Sequence, residues 1–256
     1  MPSDPVAARA EMERLLAPGR GTSRDPRWFR FGNRTLAPGE VLELLDPYLT
    51  TEREARIDGA LAGRTRSLAV VVEGVVDTGN IAAVMRTADG FGVQEFHAID
   101  TASRYKHSKR TAQGSEKWLD RRRWRSTGDC VAYLKAAGYR FVAAHLDEAA
   151  EPLDAVDFGH PTAIAFGNEL DGLSDELVAA ADVTTVIPIT GFVQSFNLSV
   201  AAALVLYQAR ADRIARLGRH GDLSEAEHLL MKAVFVMKSV KHHRQIIERL
   251  LEDDAR

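Results

Sequence analysis

The stretch ITGFVQSFNLSVAAALVLYQ, residues 189–208, joins two different kinds of sequence. Its second half is a dense apolar run with the length and composition of a buried helix. Its first half carries Gly191, Gln194, Ser195 and Asn197, polar and turn-forming residues where a buried strand should end. A strand end followed at once by a helix is the repeating unit of an α/β sheet. The same pattern recurs upstream.

SLAVVVEGV (67–75) is a continuous apolar run, as expected of a strand buried on both faces. NIAAVMRTADGFG (80–92) reads as a short helix closed by glycine, and VQEFHAI (93–99) as a strand. DCVAYLKAAG and YRFVAAHL give a helix and a strand over 129–146. PTAIAFG (161–167) is a further strand, and SDELVAAAD (174–182) is a helix that Ser174 can cap. VTTVIPI (183–189) is a strand, and a long helix runs from about Ser195 to Leu217. The expected class is α/β, a mainly parallel sheet covered by helices.

The flanks differ. Residues 1–66 read as an Arg-rich, partly helical arm, with helices at AARAEMERLL (7–16) and TEREARIDGALAG (51–63). Thr50 or Thr51 is the candidate cap of the second. The part at 17–48 reads as irregular and has no assigned role. Residues 67–218 form the central domain, and 219–256 an amphipathic helical tail. In the tail, Ser224 and Glu227 fit a capping box, and a break is expected near Ser239.

Composition narrows the function. Hydrophobic residues are 45% of the 256 and charged residues 27%, so a core of ordinary size can form. The net charge of −3 marks no global affinity for polyanions. One cysteine, Cys130, excludes an internal disulfide and any CxxC site. His97, His145, His242 and His243 show no metal-ligand spacing. The N-terminus lacks the pattern of a secretory signal, and the longest unbroken apolar run, 200–207, is far short of the roughly 20 residues of a membrane span. A soluble cytoplasmic protein without metal is expected.

In an open parallel sheet, ligands bind beyond the carboxyl ends of the strands. Three such ends are polar: DTGN (77–80), GNELDG (167–172) and TGFVQSFN (190–197). The dinucleotide fingerprint, the P-loop and the nucleophile elbow are all absent. Charge is the other local signal. Arg104, Lys106, Lys109, Arg110, Lys117, Arg121, Arg122, Arg123 and Arg125 face only Glu116 and Asp120, with Tyr105, Trp118 and Trp124 interleaved. A charge run alone is usually a solvated loop. The interleaved aromatics favour nucleic acid, because basic groups bind phosphate and aromatic faces stack on bases.

Taken together, NIAAVMRTADGFGV (80–93), AIAFGNELDGLS (163–174) and VIPITGFVQSFNLSVAAALVLYQA (186–209) resemble the three motifs of the SpoU branch of the SPOUT methyltransferases. The resemblance covers about residues 67–217. RTAQGSEKWLDRRRW (110–124) and AAHLDEAAEPLDAVDFGHPT (143–162) look like the tRNA guanosine-2'-O-methyltransferases within that family. The resemblance implies a sheet with a trefoil knot near its C-terminal end, S-adenosylmethionine as cofactor, and a homodimer with its site at the interface. It implies 2'-O-methylation of RNA, foremost the D-loop guanosine at position 18 of tRNA. Ribosomal RNA is the alternative substrate, and a non-catalytic RNA-binding protein the alternative class.

The implied site residues follow the motifs. Arg86 falls on the motif-one arginine, near the ribose hydroxyl. A guanidinium keeps its proton below a pH of about 12, so Arg86 is better read as binding phosphate and orienting the hydroxyl than as a base. Asn80 falls on the asparagine that helps position that arginine, and is chemically as good a helix N-cap. Glu169 falls on the motif-two glutamate, and Ser195 and Asn197 on motif three, where either could also cap the long helix. The cofactor pattern falls on Ala144, Gly167, Ile187 and Phe196. Phe196 stands where the family often has leucine. Arg104, Lys106, Lys109, Arg110, Arg121, Arg122 and Arg123 are the candidate RNA contacts.

Overall fold

A computed structural model describes residues 22–100 and 114–254. The chain divides into two compact units. One is Arg64–Asp222, and the other joins the residues up to Gly63 with those from Leu223 on.

The flanking unit begins with a 3-10 turn, Pro26–Phe29, whose cap Asp25 accepts a hydrogen bond from the Arg27 backbone. A two-residue hairpin follows, β1 (Arg30–Phe31) against β2 (Arg34–Thr35), turning at Gly32 with φ +56°. Then come α1 (Pro38–Leu45) and α2 (Thr51–Ala62), the latter capped by Thr50. The described part of the segment read as irregular is thus ordered. Phe29, Phe31, Leu36, Val41 and Leu45 are all buried. They are spread over the 3-10 turn, β1, the residue after β2 and α1, one or two to an element, so no single helical or strand period runs through them. The expected helix at 7–16 lies outside the described residues.

The sheet unit follows in chain order. It comprises β3 (Thr65–Glu73), α3 (Thr78–Gly90), β4 (Val93–Ile99), β5 (Asp120–Trp124), α4 (Thr127–Ala136) and β6 (Arg140–Ala144). It continues with β7 (Glu151–Pro152), β8 (Thr162–Phe166), α5 (Asp175–Ala180), β9 (Val183–Val186) and α6 (Leu198–Leu217). The strands form one sheet in the order β5-β4-β3-β8-β6-β9-β7, every pair parallel. The expected α/β class is what the chain forms. Alternate residues of the apolar strands serve the two faces. Leu68, Val70 and Val72 of β3 pack with Ile81, Val84 and Met85 of α3 and with Ala202, Val205 and Leu206 of α6. Ala69 and Val71 face Cys130 and Leu134 of α4 and Leu177 of α5. Both faces are covered, which is why these strands read as unbroken apolar runs.

Two strands depart from expectation. VTTVIPI ends its pairing at Val186, because Pro188 has no N–H to donate. The basic stretch at 120–124 is a strand rather than a loop. It lies at the sheet edge, where charged side chains are tolerated and discourage further pairing. Its inner face is held by ions: Arg66 pairs with Glu95 and, at 2.7 Å, with Asp120, which joins β3, β4 and β5.

His97 of β4 is fully buried beside that network. Its Nδ1 accepts the Trp124 indole N–H at 3.0 Å, and Tyr133 packs on the same cluster. Burial first, and the Arg122 charge second, push its pKa down to about 3, against a smaller opposing pull from Asp120. The unfolded chain therefore takes up this proton first as pH falls. Stability is intact above about pH 6.5 and drains away towards pH 3. Between pH 7 and 5 the wild type should lose roughly 2 kcal/mol more than His97→Gln, which does not titrate. Urea unfolding at the two pH values measures this, and equal losses would contradict it.

The flanking unit closes with α7 (Glu225–Ser239) and α8 (His243–Asp253). Ser224 and Glu227 make the expected capping box. The break falls where expected, with His242 in the left-handed region at φ 58°. Lys232 of α7 bridges Glu54 and Asp58 of α2, both at 3.0 Å. Among the described residues, no helix is long and apolar enough to cross a membrane.

Candidate active site

The carboxyl ends of β3, β6, β8 and β9 carry the polar loops. After β3 the chain turns through Gly74 at φ +64° and enters α3. The cap of α3 is Asp77, which accepts the Gly79 N–H at 2.7 Å. Asn80 therefore is not the cap. A carboxylate three residues earlier takes that place at the positive end of the helix, and the Asn80 amide is left to point outward. It donates to Glu169 and accepts from Asn197 Nδ2 at 3.4 Å. One residue of each polar loop is thus joined through a single amide.

Asn197 does two jobs. Its Oδ1 caps α6, accepting from the Ser199 backbone at 2.9 Å and the Ser199 hydroxyl at 2.6 Å. Its Nδ2 reaches Asn80. The cap of α6 is therefore Asn197, and Ser195 stands exposed. Glu169 is held by the turn beneath it. Asn168 Oδ1 accepts the N–H groups of Leu170 and Asp171 at 2.8 and 2.7 Å, and Asn168 and Gly172 exchange backbone hydrogen bonds. Sequence reading passed over Asn168, although an Asn before acidic turn residues is a usual turn builder.

Beside this junction lies a cavity of about 250 Å³. Ala144, Gly167, Ile187 and Phe196 all line it, with Glu169 and Ser195. Leu146, Ile189, Ala201 and Val205 also line it. Ala201 and Val205 come from the first turns of α6, so the apolar run serves core and cavity together. Arg86 is not in the lining. It lies six residues beyond Asn80, roughly 240° around the helix, exposed and without a hydrogen bond or ion pair to another described residue.

The candidate RNA contacts separate. Arg104, Lys106, Lys109 and Arg110 lie outside the described residues. Arg122 packs over the Tyr133 ring at 4.5 Å, and Arg123 pairs with Asp100. Both are occupied within the chain: Tyr133 lies on α4, and Asp100 follows β4, the strand that pairs with β5. Arg121 has no partner among the described residues. Cys130 is buried, and burial pushes its thiol pKa up to about 12, so it is no nucleophile.

The profile of the SpoU rRNA Methylase family matches residues 67–207. The chain belongs to this family. It is 42% identical over 161 residues to the tRNA (guanosine(18)-2'-O)-methyltransferase of Escherichia coli K12, covering 63% of this chain and 70% of that one. The crystal structure of the A. aeolicus TrmH/SpoU tRNA modifying enzyme superposes with a TM-score of 0.67 at 31% identity, over 74% of this chain and 97% of the other. An AdoMet-bound rRNA methyltransferase from Sinorhizobium meliloti superposes at 0.54 and 27% identity, over 60% and 59%.

SpoU methylases use S-adenosylmethionine to methylate RNA ribose 2'-hydroxyls. The cavity fits that cofactor in kind. Its walls are largely apolar, and residues at three strand ends, Ala144, Phe166 and Val186, line it. Such a pocket suits a flat base and a thioether chain. Bound there, the cofactor supplies a methyl group already activated by its sulfonium. The protein's share is then to hold a hydroxyl in line and to exclude competitors.

Proposed function

We propose that this SpoU methylase transfers a methyl group to the 2'-hydroxyl of the D-loop guanosine at position 18 of tRNA. The joining of Glu169, Asn80 and Asn197 at the mouth of an apolar cavity carries the reading. In it, Ala144, Gly167, Ile187 and Phe196 hold the cofactor. Arg86 binds phosphate and orients the hydroxyl toward the methyl group that the cofactor would supply. Glu169, Asn80, Asn197 and Ser195 shape the ribose side. The likeness to the Escherichia coli enzyme supports tRNA as substrate.

The reading includes a homodimer, a knotted C-terminal half of the sheet and a cytoplasmic setting. An apolar stripe on α6 supports the dimer: Val200, Leu204 and Tyr207 recur at helical spacing and are 45%, 39% and 61% exposed. Arg86, without a side-chain partner among the described residues and outside the cavity lining, suits a site completed across such an interface. The basic segment 104–125 is read as a grip on the RNA backbone, because its cations can pair with phosphates.

The test is nucleoside mass spectrometry of purified tRNA and rRNA after incubation with labelled cofactor, with light scattering on the same preparation. A single 2'-O-methylguanosine in the D-loop, made by a dimer, is the expected result. Methylation of rRNA alone would replace the substrate. No methylation and no cofactor binding would leave an RNA-binding protein. An active monomer would remove the interface.

A further inference from the structure

Glu73 is a charged residue inside an apolar run, SLAVVVEGV, and it ends the central strand β3. It is only 2% exposed. Burying a carboxylate is costly unless hydrogen bonds replace its water, and here three do. Oε1 accepts from the Thr127 hydroxyl at 2.5 Å and from the Ser174 hydroxyl at 2.9 Å. Oε2 accepts from the Ser174 backbone N–H at 2.8 Å. Thr127 is the first residue of α4 and Ser174 is the cap of α5, so the carboxylate sits at two helix N-termini, the ends that favour negative charge.

Ser174 also ends the loop that begins at Gly167. The Gly172–Leu173 backbone is packed against Gly167 so closely that a Cβ there would lie 2.3 Å from the Leu173 nitrogen. Gly167, Asn168, Glu169 and Gly172 all line the cavity. The peptide that Glu73 holds at Ser174 is the next one along from the peptide that seats Gly167. Glu73 also runs directly into the residue 74–77 loop that leads to Asn80 in the first turn of α3. It stands at the root of two of the three loops of the site without touching the cavity.

We propose that Glu73 is a positioning residue that sets the residue 167–174 loop for cofactor binding, acting through Ser174. The inference rests on the reading that the cavity takes S-adenosylmethionine. Glu73→Gln keeps the shape but sets an NH2 group or a weaker acceptor against donors. It should weaken S-adenosylmethionine binding by about tenfold in calorimetry, the scale of one lost charged hydrogen bond. The KM for cofactor should rise alike, with kcat at saturation little changed. Amide exchange over 168–174 should quicken in the cofactor-free protein while β4 keeps wild-type protection. Ser174→Ala should weaken binding in the same sense. Thr127→Val removes only the arm to α4 and should leave binding unchanged.

Wild-type affinity and exchange in Glu73→Gln would overturn the proposal. So would equal weakening by Thr127→Val, which would mark Glu73 as a general stabiliser. A wild-type protein that does not bind S-adenosylmethionine would instead overturn the cofactor reading, and the exchange comparison would still decide whether Glu73 sets the loop.

Discussion

Arg86→Ala is expected to lower methyl transfer to RNA by about 10² to 10³-fold, the usual cost of removing one fixed charged donor from a reacting centre. The fold should not suffer. Arg86 is exposed on α3 and holds no other described residue, so alanine, the better helix former, replaces it without a cavity. Cofactor affinity should also hold, because Arg86 does not line the cavity. The signature is thus a collapsed rate with an unchanged S-adenosylmethionine dissociation constant. Arg86→Lys retains the charge but loses the planar two-pronged donor, and should recover only a small part of the rate. Single-turnover rates with saturating cofactor measure both variants. Activity within a few-fold of wild type in Arg86→Ala would remove Arg86 from the reaction.

The extent to which the chain was legible follows from what each signal encodes. β3, β6 and β8 were plain because burial on both faces demands largely apolar sequence. β5 was hidden because all but one of its five residues are charged, and its inner face is satisfied by Arg66, more than fifty residues upstream. No local pattern reports a partner that distant. The order within residues 22–48 was hidden for a related reason, since its buried residues lie one or two to an element. The four cofactor positions came from the family resemblance, and the chain brings all four to one cavity. Asn80 shows the limit of local reasoning. It looked like a helix cap, but Asp77 takes that place, and the freed amide instead links Glu169 and Asn197, 89 and 117 residues away.

That link also explains why the second large effect is expected at a residue with no side chain. A Cβ at Gly167 would lie 2.0 Å from the Gly172 carbonyl carbon, 2.2 Å from its oxygen and 2.3 Å from the Leu173 nitrogen. All three are backbone atoms, so no rotamer change relieves the clash. The loop itself must open. Opening breaks the paired hydrogen bonds between Asn168 and Gly172, at 3.2 and 3.1 Å, and moves Glu169 away from Asn80. Gly167→Ala should therefore cost about 1–3 kcal/mol of stability, the scale of overpacking. It should weaken S-adenosylmethionine binding by about tenfold to a hundredfold, the affinity equivalent of a cost of that size borne by the loop that lines the cavity. Gly191 is the control. It lies on the 190–197 loop of the site, and a Cβ there would meet nothing within 4 Å. Gly191→Ala should bind cofactor as the wild type does. Calorimetry and urea unfolding of both variants separate the outcomes: a Gly167→Ala protein with wild-type affinity would mean that the 167–172 turn is not a wall of the cofactor site, whereas loss in both variants would mean that the cavity tolerates no change at its rim.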